Sequence, residues 1–224
     1  MDRFVDAFLN QRVIDKYLPD ILSGMVVTIE VAAAVVVTGI LGGLALATIR
    51  SFRIRALNAL IVLFVDVFRS LPPLVVILIA YFGLPNVGLS LSGFTVLWLV
   101  LSLVLAAFAE EIFWSGILSI RKGQWEAARS TGLSFLQTLT WVILPQAIRM
   151  TVPPLTNRTI AITKNTALGA VIGVPEILMQ AQTAQSFSGN ATPLLIGSVA
   201  YVLLFVPVVA VGRWLETRFA WGRA

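Results

Sequence analysis

Five runs of this sequence, at about 21–49, 56–83, 92–120, 146–174 and 192–215, are long and apolar enough to cross a hydrocarbon layer as helices. A bilayer core roughly 30 Å thick needs about 20 such residues in a helix. Lipid offers no partner to backbone N–H and C=O groups, so a spanning segment must be a helix or a strand of a closed barrel. The runs are too long for barrel strands and lack a barrel's apolar–polar alternation. The expected fold class is therefore an all-α integral membrane protein with about five transmembrane helices. Composition agrees: 12% of residues are charged and 58% hydrophobic, with a mean hydropathy of +0.92. A soluble domain carries about twice that share of charge.

The same composition closes off several kinds of chemistry. The chain has no cysteine and no histidine. That excludes disulfides, thiolate nucleophiles and cysteine-held metals, and removes the commonest general base and metal ligand. The net charge of +5 fits basic cytoplasmic loops better than nucleic acid binding. Residues 1–20, "MDRFVDAFLNQRVIDKYLPD", mix charges with apolar residues and have no compact apolar stretch, so they do not read as a cleavable signal. They read as an amphipathic segment lying at the interface. No run repeats along the chain.

Charge placement orients the spans. Arg50, Arg53 and Arg55 follow the first run; Arg121, Lys122, Arg129 and Arg149 follow the third; Arg213, Arg218 and Arg223 follow the fifth. The loops near 83–92 and 181–190 carry no charge. The positive-inside rule places the N-terminus outside and the C-terminus inside. Arg3, Arg12 and Lys16 dissent, but they are interleaved with Asp2, Asp6, Asp15 and Asp20. The expected organisation is an amphipathic segment at 1–20, a transmembrane domain at 21–216 and a cytoplasmic tail at 217–224.

The longest loop, 121–145, is then cytoplasmic, and it reads as soluble helix. Glu126, Ala127, Ala128 and Arg129 are good helix formers or tolerated there. Gly132 is placed to end or bend that helix, Ser134 to cap a second, and Pro145 to mark the start of the fourth span. Two short helices projecting from a membrane make a docking surface, with Ala127 and Ala128 keeping one face flat. The alternative is a solvated connector.

The loop's pattern is more specific than its composition. Glu126, Ala127, Ala128, Gly132, Leu144 and Pro145 resemble the "EAA" signature of bacterial ATP-binding cassette importer permeases, with Val142 where that signature has isoleucine. The segments "VFRSLPPLVVILIAYFGLP", "AAFAEEIFWSGILSIRKGQWEAA" and "LPQAIRMTVPPLTNRTIAITKNTAL" are similar, in order, to segments of the polar amino acid permease family. With the first span they extend the resemblance over roughly 20–215. The resemblance implies the type I importer transmembrane-domain fold and a bacterial inner-membrane location. It implies two permease subunits, identical or homologous, forming the path for a polar amino acid. It also implies an extracytoplasmic solute-binding protein that delivers substrate, and two ATPase subunits coupled through the Glu-Ala-Ala helices. This chain has no phosphate-binding loop of the Gly-x4-Gly-Lys-Ser/Thr kind. No cofactor is expected on it; ATP and Mg belong to the partner. The alternative class is a stand-alone channel or secondary transporter.

Ionisable groups inside a bilayer are costly and are functional candidates. Asp66 and Arg69 lie three apart, so they share a helix face and can pair. Arg69 precedes Leu71-Pro72-Pro73, a helix break of the kind that lines transporter paths, and matches the family's Phe-Arg arginine. Glu111 aligns with the family glutamate. Glu110 beside it points elsewhere, since neighbours on a helix diverge by about 100°. The family arginine three residues on is Trp114 here. Asn157 and Lys164 match family positions, and Asn165 stands where the family has aspartate. Arg69, Glu111, Asn157, Lys164 and Asn165 are thus the expected substrate path, with helix–helix anchoring as the alternative for Glu111, Asn157 and Asn165. Glu30 and Glu110 receive no role.

Overall fold

The structure is a computed structural model describing residues 6–219. Its elements are helices: α1 Gln11–Arg50, α2 Arg55–Ser70, α3 Pro73–Gly83, α4 Gly93–Ser119, α5 Lys122–Ser130, α6 Phe135–Gln137, α7 Leu144–Thr163, α8 Ile177–Ser188 and α9 Thr192–Phe219. No strand occurs among the described residues.

Helix α4 is the central post. Its Leu97, Leu101 and Leu105 are buried against Val31 and Val35 of α1 and Ile77 of α3. Its Phe113 and Ile117 meet Ala47, Leu139, Ile143 and Ala147 at the other end. In lipid there is little hydrophobic gain from helix association, so close backbone approach through small residues decides which helices pair. Gly39, Gly43 and Ala47 form such a strip on α1. A Cβ at Gly43 would lie 2.5 Å from Ala109 Cβ and 2.8 Å from the Glu110 nitrogen.

The segment at 1–20 is not a separate interfacial helix over its described part. Asn10 caps α1 by accepting from the amides of Arg12 and Val13, and the helix continues without interruption from Gln11 to Arg50. Pro19 lies inside it. The preceding residues dock on the turn before α9. The Asn190 side chain donates to Asp6 O, the Ala191 amide to Ala7 O, and the Asn10 amide to Thr192 Oγ1. Residues 1–5 of that segment, and 220–224 of the tail, lie outside the described residues.

The second run is not one straight span. The axis turns by 102° between Arg55–Ser70 and Pro73–Val87. Leu71 is extended (φ −89, ψ 135), as the ring of a following proline demands, and Pro73 restarts the helix at its first turn. Helices cover all five expected runs. Three of them, α1, α4 and α9, are long and apolar enough to cross a membrane by length and composition, and the bent pair makes a fourth. Helix α7 is too polar for that test; it carries Arg149, Asn157 and Arg158 and passes into a 3₁₀ turn, Lys164–Ile172.

Prolines shape α7. Thr138–Ile143 is a wide π turn just ahead of it. Pro145 has no N–H for the Trp141 carbonyl and its ring would strike that group, so the turn widens. Gln146 Nε2 donates to the adjacent Val142 carbonyl at 2.6 Å.

Candidate functional site

The loop at 121–145 is built as a bracket of two short helical pieces. Helix α5 ends at Ser130 with Thr131 as its cap, and Gly132 turns the chain at φ +88, a left-handed conformation that glycine adopts without strain. Ser134 and Gln137 then form a reciprocal capping box. Glu126 is exposed and pairs with Lys122 at 3.1 Å; such a surface pair contributes little. Ala127 is exposed beside it. Ala128 is only 8% exposed, so it does not share the flat outer face expected of it. It points inward because residue 128 lies three positions after Trp125, which also faces the body. Leu144 is half-buried and Pro145 exposed.

An aromatic staple fixes the bracket. Trp125 stacks on Phe135 at 5.6 Å between centroids, and Phe135 meets Phe52 edge-on at 5.4 Å. These rings join α5, the segment after Gly132 and the turn between α1 and α2. Arg53, in that turn, has φ +57. Together with Arg129, Lys122 and Trp114 it lines a groove of about 510 Å³ beside α5.

The two adjacent glutamates of α4 diverge, as helical geometry requires. Glu110 is wholly buried and is gripped by Arg50 from the end of α1, Nη1 lying 3.0 and 3.2 Å from its two oxygens. Arg50 also lies over Trp114, 4.7 Å from the ring centroid. Glu111 is in the open, its side chain 47% exposed, and forms an ion pair with Arg69. Arg69 therefore takes Glu111 rather than the expected Asp66, which stands exposed one turn back on α2 with no ion pair among the described residues. Helix α2 packs on α4 through Ile61, Val65 and Ala107, which makes this cross-helix partner available.

Two guanidiniums share the Phe108 ring: Arg69 at 5.4 Å and Arg158 at 3.8 Å from its centroid. A groove of about 400 Å³ runs from Glu111 between α4 and α7, lined also by Ser115, Met150 and Pro154. Pro154 has no N–H for the Met150 carbonyl, which leaves an acceptor free in that region. Asn157 is exposed on the same helix. Lys164 and Asn165 lie beyond the cluster. Lys164 opens instead on a cleft of about 620 Å³ against α9, with Tyr201 and Arg213. The structure thus brings Arg69 and Glu111 together, adds Arg158, and leaves Lys164 apart.

A third polar knot lies at the opposite end from the bracket. Glu176 caps α8, accepting from the amides of Leu178 at 3.0 Å and Met179 at 2.8 Å and from the Tyr201 hydroxyl. The Ile177 amide donates to Thr28 Oγ1 of α1. Burial pushes the Glu176 carboxyl above its ordinary value, and the Tyr201 hydroxyl and two amides only partly offset that. Sequence reading passed over this knot and the Arg50–Glu110 pair. Both join residues far apart in sequence. The one local signal was an acid directly before a helix start at Glu176.

A family model described as "Binding-protein-dependent transport system inner membrane component" matches residues 39–221. The chain is 34% identical over 207 residues to the "Probable glutamine ABC transporter permease protein GlnP" of Bacillus subtilis (strain 168), covering 91% of this chain and 95% of that protein. It is 30% identical over 203 residues to the arginine transport system permease protein ArtQ of the same organism, covering 90% and 93%. Among solved structures it resembles the crystal structure of an amino acid ABC transporter with histidines, at TM-score 0.82 and 30% identity, over 92% of this chain and 96% of that one.

Proposed function

The chain belongs to the family of binding-protein-dependent transport system inner membrane components, and from that premise we propose that it forms the path for a polar amino acid through an ATP-driven importer. It is a permease subunit with the type I importer transmembrane-domain fold, a multi-pass protein of the bacterial inner membrane. It is not an enzyme; hydrolysis of ATP belongs to a separate ATPase subunit. The observation that carries the amino acid reading is the similarity, along nearly the whole chain, to an amino acid transporter of solved structure.

The subunit works as part of an assembly: a second permease, identical or homologous, two ATPase subunits carrying ATP and Mg, and a solute-binding protein outside. Five crossings, with the N-terminus outside, put α5 on the cytoplasmic face. The exposed polar groups on the open sides of the chain, Glu30, Asp66, Asn157 and Lys164, support a second permease, since such groups in lipid face other protein or a water-filled cavity. The ATPase docks on α5, with Glu126 and Ala127 as its contact and Ala128, Gly132, Leu144 and Pro145 holding the bracket in shape. When the ATPases close, α5 moves. The Phe52–Phe135–Trp125 staple and the core around Ile143 carry that motion to α1, α2, α4 and α7. Those helices hold Arg69, Glu111 and Asn157, which switch between inward and outward access. Lys164 and Asn165, in the 3₁₀ turn after α7, form a later station.

Co-purification from detergent tests the docking. Wild-type permease is expected to retain its ATPase, and Glu126→Lys to lose it while eluting as an intact permease. Retention of the ATPase by that variant would move the contact off α5.

A further inference from the structure

Arg158 has no carboxylate within ion-pair reach among the described residues, although it lies in α7 within the expected fourth span. Its neighbour in the same cluster is satisfied: Arg69 holds Glu111. Asp66, one turn before Arg69, pairs with neither guanidinium. The shared support is the face of Phe108, with Arg158 closer than Arg69, at 3.8 Å against 5.4 Å. A cation over a ring gains far less than an ion pair supplies at low dielectric. The cluster as built carries two guanidiniums and one carboxylate. An anion is the missing member, and the guanidinium's planar fork fits a carboxylate in two-point contact.

The groove between α4 and α7 gives that anion a place. Glu111 lies at its margin, and Met150 and Pro154 follow Arg158 back along α7 at turns of four residues. Arg158 does not line the groove itself but stands one turn beyond Pro154, so a substrate at the Glu111 end of the groove can give its ammonium to Glu111 and reach Arg158 with a carboxylate. A second carboxylate would reach the cluster's remaining positive charge, whereas a cationic side chain would meet Arg69 and Arg158 together.

We propose that Arg158 is the carboxylate-binding residue of the translocation path and that it selects an anionic, dicarboxylic amino acid over a cationic one. This rests on the permease reading above and extends it to substrate charge and to a residue outside the expected path.

The test is equilibrium binding of L-glutamate, L-glutamine and L-arginine to the purified permease–ATPase complex, without the solute-binding protein so that its own selectivity does not intrude. L-Glutamate is expected to bind at least tenfold more tightly than L-arginine, with L-glutamine between. Arg158→Gln should collapse the glutamate-to-arginine ratio toward one, and Arg158→Lys should restore part of it. A loss of packing would weaken all three ligands together; the ratio reports the charge contact alone. Wild-type preference for L-arginine would overturn the proposal. So would an unchanged ratio in Arg158→Gln, or disassembly of the permease pair by Arg158→Gln with Arg158→Lys intact, which would assign Arg158 to a carboxylate of the second subunit. The wild-type ratio decides the matter even where a variant does not fold. A full importer in which ATP drives uptake of no amino acid would instead sink the permease reading.

Discussion

Replacing Arg50 by methionine leaves Glu110 buried with no counter-charge. Glu110 is 0% exposed and Arg50 20%, so the loss falls on the acid rather than the base. At about 4 Å between charge centres and an effective dielectric near 20, the pair is worth roughly 4 kcal/mol before desolvation. Removing one partner of a buried pair typically costs about 3–5 kcal/mol. That is a fall of roughly two to four orders of magnitude in the folded-to-unfolded ratio. Removing both charges is different: Arg50→Met with Glu110→Leu leaves no orphan group, and apolar replacement of a buried pair is often close to neutral. The assay is reversible unfolding of the detergent-solubilised permease by SDS, followed by tryptophan fluorescence and analysed as a double-mutant cycle. The single Arg50 variant should be far less stable than the double. A coupling energy below about 0.5 kcal/mol, within the usual error of additivity, would refute the claim that this pair ties α1 to α4.

Other outcomes follow from the same contacts. Gly43→Val drives side-chain atoms into Ala109 and the Glu110 backbone; an overpacked contact costs about 1–3 kcal/mol, read as a lowered melting temperature, while the same change at exposed Gly123 should leave it unmoved. Phe135→Ala removes both ring contacts of the staple, each worth about 0.5–1.5 kcal/mol. The ATPase should still co-purify, but loaded solute-binding protein should no longer stimulate its hydrolysis. Glu176 has a raised carboxyl value in the fold, so its contribution is fully present below the ordinary value of 4.5 and is lost as pH rises through the raised one. Glu176→Gln keeps one acceptor oxygen, which can still serve Leu178 and Tyr201, but sets an NH2 group against the Met179 amide; it does not titrate, so thermal melts across that interval should lose the part of their pH slope that Glu176 supplies.

Much of the architecture could be read from residues, because the bilayer permits few folds. The apolar runs mark all five helical regions, and Leu71-Pro72-Pro73 marks the break in the second. Gly132 and Ser134 mark the turn and cap of the bracket, since each acts through its own backbone. The angle at the break was not legible: 102° depends on what α2 and α3 pack against. Nor was the partner of Arg69. Spacing offers Asp66 on the same helix, whereas the packing of α2 on α4 presents Glu111. Arg50 and Glu110 are 60 positions apart, and no periodicity joins them. Ala128 looked like outer surface because a four-residue pattern does not say which side of a short helix meets the body. The aromatic staple was invisible for the same reason, its rings coming from three segments.

The central claim, that this chain is the permease of an ATP-driven amino acid importer, is tested most directly in proteoliposomes holding the permease, its second subunit and the ATPase, with solute-binding protein and radiolabelled amino acid outside. ATP and Mg trapped within should drive accumulation above the external concentration, and omitting either should abolish it. Accumulation without ATP, or equilibration with no gradient when the ATPase is left out, would mark a carrier or channel acting alone and contradict that claim.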